Sequence, residues 1–164
     1  MLIKTIEETY TSDQVVRMLE EKDGAINIVK IDEVYYPYTK QIYSIKFNGI
    51  MGKFDKQIMC NIDSVYGKPA IGQGKPKFVE REIDHTIAIA PQVSEYDMEN
   101  IGHDYVMKVY LGKMKLLHTP NISIANTENF HKLFYLTQCK DVDNIDYFIL
   151  VDSIDGNFSI LNYN

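Results

Sequence analysis

The chain has 164 residues, enough for one domain or two small ones in close contact. Hydrophobic residues make up 45% and charged residues 24%, a balance that excludes a disordered, collagenous or low-complexity protein. With 17 basic against 23 acidic residues and a net charge of -6, the chain lacks the basic face of a non-specific nucleic-acid binder, and no nucleic-acid partner is expected.

Glu7 and Glu8 arrive before any apolar run forms, so neither a secretory leader nor a lipidation signal is expected at the N-terminus. A helix follows from Ser12 to Lys22. Thr11 or Ser12 caps it, Val15, Val16, Met18 and Leu19 form its apolar stripe, and Asp23-Gly24 ends it with a left-handed glycine. From Ala25 the pattern becomes alternating. Ile26 and Ile28, then Val34 and Tyr36, read as strand, with Pro37 placing that strand at an edge or a bulge. Tyr43, Ile45 and Phe47 form a half-buried strand, Asn48-Gly49 turns the chain, and another strand runs from about Lys56 to Asp63. Gly72 to Lys77 is a loop by composition, and Thr86 to Ala90 is a short strand candidate stopped by Pro91. A second helix opens at Ser94, carries Met98, Ile101, Tyr105, Val109 and Met114 on one stripe, and ends near Leu117. After Pro120 the pattern returns to strand at Ile122 and Ile124, Leu133 to Cys139, and Ile145 to Val151. Asp155-Gly156 then leads into a hairpin ending with Phe158, Ile160 and Leu161.

Two blocks of this pattern align. Set residues 58–71 above 147–160, and Asp63 meets Asp152, Ser64 meets Ser153, Gly67 meets Gly156 and Ile71 meets Ile160. Each block is preceded by a helix. The expected fold class is therefore α+β, with two tandem repeats of a helix followed by a three- to four-stranded antiparallel meander. The first repeat would span 1–84 and the second 85–164, packed as one compact unit that two such repeats need to close a core.

A helix, then Val34-Tyr35-Tyr36-Pro37-Tyr38, then an apolar-Asp-x-x-x-Gly turn, resembles PepSY-type or cystatin-like helix-plus-sheet modules. Residues 61–67 and 150–156 occupy the place of the Asp and the hairpin glycine. The second copy lacks the Tyr-Tyr-Pro-Tyr segment. The resemblance implies a non-catalytic binding or inhibitory module.

Other constellations are weaker. Asp63 and Asp152 read as caps of their own turns; the sharper reading pairs them, with a histidine, in a cleft between the repeats that binds a small ligand or hydrolyses one. Asp141, Asp143 and Asp146 make an acidic loop, but Asp146 stands where an EF-hand needs glycine and Asp152 where it needs glutamate. Gly74-Lys75 fails the phosphate-loop pattern, with Pro69 at the first glycine and Pro76 at the hydroxyl position. His85, His103, His118 and His131 show no ligand spacing, and Cys60 and Cys139 read as core filler. No cofactor or metal is expected.

The reading that follows is a cytoplasmic, non-catalytic protein- or peptide-binding module of a bacterium or phage, such as an inhibitor, immunity or regulatory partner. The lean toward Ile, Lys, Asn and Tyr indicates the AT-rich genome, and the acidic balance suits a basic partner. No run approaches the roughly 20 apolar residues of a membrane span. Tyr35, Tyr36 and Tyr38, with one or two rings exposed beside an edge at Pro37, and Asp141, Asp143 and Asp146 are the expected binding residues.

Overall fold

A computed structural model describes residues 1–49, 52–114 and 120–161. In chain order these form β1 (Leu2–Ile6), α1 (Ser12–Lys22), β2 (Asn27–Gly49), β3 (Gly52–Asp63), β4 (Pro69–Ile71), β5 (Phe78–Glu82), a 3-10 turn (His85–Ile87), α2 (Glu95–Met114), β6 (Asn121–Lys140), β7 (Asp146–Asp152) and β8 (Phe158–Leu161). The expected end of the second helix near Leu117, and the residues linking β2 to β3 just after Asn48-Gly49, lie outside the described residues.

Both helices start where their caps dictate. Thr11 Oγ1 accepts from Gln14 N–H while the Gln14 side chain accepts from Thr11 N–H, a closed capping box. Ser94 Oγ accepts from Asp97 N–H. The C-terminus of α1 differs from expectation: Asp23 is extended, its N–H donates to Leu19 O, and its carboxylate accepts from Ala25 N–H. A side chain at Asp23 ends the helix without a left-handed glycine.

The strands pair in the order β4-β3-β2-β6-β1-β5, with β7 on β6 and β8 on β7. β1 runs parallel to β6 and antiparallel to β5, so the sheet is mixed. β2 is a single strand with Pro37 well inside it, flanked by β3 and β6, and is not an edge. The proline is tolerated because one flank of the strand changes partner there. Tyr35 bridges Ala88 and accepts from Ile89 N–H, and the ladder to β3 begins at Tyr38 opposite Asp63. The missing N–H falls at that change of partner.

Two compact units emerge, each drawing on both halves of the chain. The first comprises residues 1–36, 76–89 and 131–164; the second comprises 37–75 and 90–130. In the first unit Val15 and Leu19 of α1 share a core with Leu133, Tyr135, Cys139, Ile149 and Val151. In the second, Met98, Val106 and Tyr110 of α2 pack on Tyr43, Ile45, Ile58, Cys60 and Ile62. These packings overturn the expected fold class. The chain is mostly β, in one large mixed sheet, and is not two tandem helix-plus-meander repeats. Each helix shares its core with strands from the opposite half of the sequence as well as from its own. The expected blocks 1–84 and 85–164 do not correspond to the compact units. An apolar helix stripe states that a sheet face is needed, and not which one.

The two aligned turns nevertheless share local chemistry. Asp63 Oδ1 accepts from Val65 and Tyr66 N–H at 2.8 and 3.0 Å, and Asp152 Oδ1 accepts from Ile154 N–H at 2.9 Å. Gly67 and Gly156 donate to Asp63 O and Asp152 O, and both have the expected positive φ, 68° and 71°. The buried Ser64 and Ser153 offer their carbonyls to the chain entering a helix. Ser64 O accepts from Gln92 and Val93, and Ser153 O from Thr9 and Tyr10. Each turn thus fixes the approach to one helix within its own unit.

Gly102, mid-helix in α2, has a packing reason. A Cβ there would lie 2.0 Å from Gln41 Oε1 and 2.5 Å from the Tyr43 hydroxyl. The bare helix backbone makes room for Gln41 and Tyr43, whose side chains hydrogen-bond at 2.6 Å under it.

Candidate functional site

The expected tyrosines are packed. Tyr35 is 1% exposed. Its hydroxyl accepts from Arg81, which also pairs with Glu8. Burial raises the Tyr35 hydroxyl above its ordinary range, an effect that Arg81 partly offsets. On the opposite face of β2, the half-buried Tyr36 meets Phe134 edge-on at 6.1 Å and Tyr38 stacks on Phe130 at 5.6 Å. The expectation of an edge at Pro37 with freely exposed rings fails, because β6 supplies an aromatic partner for each of the two outer rings.

The Arg81–Glu8 pair predicts a pH effect. Burial pushes the Glu8 carboxyl up, but hydrogen bonds and the Arg81 charge outweigh it and hold Glu8 below the usual carboxylate range. A depressed folded-state pKa contributes stability above the unfolded value and loses it as pH falls. Thermal melts should therefore show the wild type losing its margin over Arg81→Leu as pH falls through and below the ordinary carboxylate range, about pH 4. Parallel midpoint curves would show that the pair contributes nothing.

Asp141 and Asp143 are exposed in the β6–β7 loop, and the exposed Asp146 opens β7, 4.0 Å from Lys140 Nζ. Asp141 Oδ1 accepts from the N–H groups of Asp143 and Ile145 at 2.9 and 2.8 Å, and Asn144 takes φ 64°. The loop is a self-capped hairpin, with Asp141 holding its shape and Asp143 turned to solvent. Val142 and Ile145 stand exposed on the same loop, at 94% and 61%. Acidic and apolar side chains thus share one self-capped turn.

The same unit carries the most exposed apolar strand. All four residues of β8 are exposed, including Phe158, Ile160 and Leu161, and among the described residues β8 pairs only with β7. Phe158 and Ile160 lie opposite the buried Val151 and Ile149, so they extend the face that α1 covers farther in. Lys22 of α1 sits over the Phe158 ring at 4.6 Å. Leu161 lies opposite Phe148, two residues from Asp146, which brings the end of β8 to the acidic loop. The Asp155-Gly156 signal places these residues in a hairpin but does not say which face they present.

The other expected residues serve their own surroundings. Asp63 caps its turn, and Asp152 caps its turn and pairs with Lys132. Cys60 and Cys139 are free, buried thiols, and burial pushes Cys60 up to about 11, away from thiolate chemistry. His131 is held below its ordinary range by burial. His118 lies outside the described residues. No group of three or more His, Cys, Asp or Glu is placed to hold a metal ion among the described residues. Nor is any described helix long and apolar enough to cross a membrane. No family model, curated protein or solved structure matches this chain.

Proposed function

We propose that the chain is a non-catalytic binding module that takes an extended, basic segment of a protein partner along β8. The observation that carries this reading is an exposed apolar strand with one unpaired flank among the described residues, ending beside an acidic, apolar-tipped hairpin. An added strand would hydrogen-bond to the β8 main chain, and its side chains would meet Phe158 and Ile160. Lysines or arginines beyond it would meet Asp143 and Asp146, which favour association at low salt. The PepSY-type resemblance points to the same class of function, as an inhibitor, immunity or regulatory partner of a bacterium or phage. A cytoplasmic setting suits the two unpaired cysteines.

Calorimetric titration with paired extended peptides, one lysine-rich and one glutamate-rich with the same apolar positions, tests the reading. The lysine-rich peptide should bind, and Ile160→Asp should weaken it by about 1–3 kcal/mol without shifting the melting midpoint. Equal binding of both peptides, or indifference to Ile160→Asp, would remove β8 as the site.

A further inference from the structure

A different part of the molecule holds a cavity beside a buried amide that is unpartnered among the described residues. Beneath the start of α2, within the second unit, lies a cavity of about 260 Å³. Thr39, Gln41 and Met98 form its buried floor, Asn129 lies to one side, and Glu95 and Glu99 stand at the rim. The floor is polar and tightly wired. Thr39 Oγ1 donates to Asn129 Oδ1 at 2.8 Å and lies 3.1 Å from Ser64 Oγ. The Tyr43 hydroxyl donates to Gln41 Oε1 at 2.6 Å and lies 3.3 Å from Glu99 O.

One group in this wiring is left over. Gln41 is 0% exposed, and its Nε2 has no hydrogen-bond partner among the described residues. A buried amide donor without an acceptor costs about 1–3 kcal/mol, so a small acceptor group in the cavity would stabilise it. The rim has the opposite need. Glu95 and Glu99 are one helical turn apart on the same face, where like charges repel, and no basic side chain among the described residues lines the cavity.

We infer that this cavity binds a small primary ammonium compound carrying a neutral carbonyl a few bonds away. Its ammonium would lie between Glu95 and Glu99, and its carbonyl oxygen would accept from Gln41. A neutral acceptor is specified because a carboxylate would be repelled by the same two glutamates. The cavity volume limits the ligand to roughly the size of one small amino-acid amide. That chemistry is presented by a free amino-acid amide and by the first residue of a peptide.

The test is a nuclear magnetic resonance titration of the intact chain with alaninamide, following the side-chain amide signals of Gln41 and Asn129. Propionamide, which lacks the ammonium, and ethylamine, which lacks the carbonyl, serve as comparisons, and Ala-Gly-Gly distinguishes a peptide source from a free amide. Alaninamide should shift the Gln41 signal saturably, and each comparison compound should bind at least tenfold more weakly. Glu95→Gln/Glu99→Gln should weaken alaninamide at least tenfold with an unchanged melt, since both side chains are exposed and glutamine keeps the helix propensity. If Ala-Gly-Gly shifts the same signals as tightly, the source is a peptide terminus; if it does not, a free amide. No shift up to the solubility limit would mean that only water serves Gln41, and equal binding of propionamide would mean that the ammonium is not recognised. Either result overturns the inference.

Discussion

Gly102→Ala should lower the stability of the protein by about 2 kcal/mol or more, although alanine is the better helix former by about 1 kcal/mol. The added Cβ would stand 2.0 Å from Gln41 Oε1 and 2.5 Å from the Tyr43 hydroxyl. Both side chains are fully buried, so neither yields without breaking the hydrogen bond between them. The cause is separable from a general helix effect. In Gly102→Ala/Gln41→Ala the nearest obstacle is gone, and the double variant should be less destabilised than the sum of the two single changes. Urea melts of the four proteins provide the cycle. Additive losses, or a stabilised Gly102→Ala, would mean that the helix does not rest on Gln41.

Gly67→Val and Gly156→Val should each cost about 2 kcal/mol or more. Both positions have φ near +70°, where a Cβ crowds the following carbonyl and costs roughly 1–2 kcal/mol by itself. Both are also crowded. A Cβ on Gly67 would lie 3.0 Å from Ile101 Cδ1, and one on Gly156 would lie 3.3 Å from Met18 Sδ and from the Tyr10 ring. Gly74→Val separates the two contributions, since its φ is 74° but nothing lies within 4 Å of its Cβ site. It should lose only the backbone share. Gly24→Ala, with open space and no positive φ, should be neutral or slightly stabilising. Equal losses at all four positions would argue that the helix–turn contacts are not as described.

What could be read from the sequence follows from range. The start and stop of α1 were legible because cap, stripe and stop lie within fifteen residues or so of one another. The glycine conformations at 67 and 156 were legible because an Asp-Ser-x-x-Gly turn closes on itself. β2 was read as two strands, since Pro37 looks like a terminus when the change of partner beside it is unknown, and β6 was split because Ala125 to Asn129 is a polar stretch between its apolar ends. β1 and β5 escaped notice because Lys4, Glu80, Arg81 and Glu82 break their apolar alternation. The pairing of α1 with β6 and β7 was beyond any local pattern. The same limit explains the binding residues. Three clustered tyrosines imply exposure only if nothing covers them, and Phe130 and Phe134 come from a strand about ninety residues later. Tyr66 and Tyr96, at 73% and 74%, are tyrosines that do face solvent. Gln41 carried no signal, because an alternating strand places a glutamine inward only when its register is known.

Methyl nuclear Overhauser contacts from Leu19 test the crossed packing most directly, and the placement of β8 beside α1 depends on that packing. With α1 seated in the core described here, Leu19 should show contacts to Leu133, Ile149 and Val151. Contacts to Ile45 and Ile62 in their place would return α1 to the strands that follow it in the sequence and would contradict the arrangement.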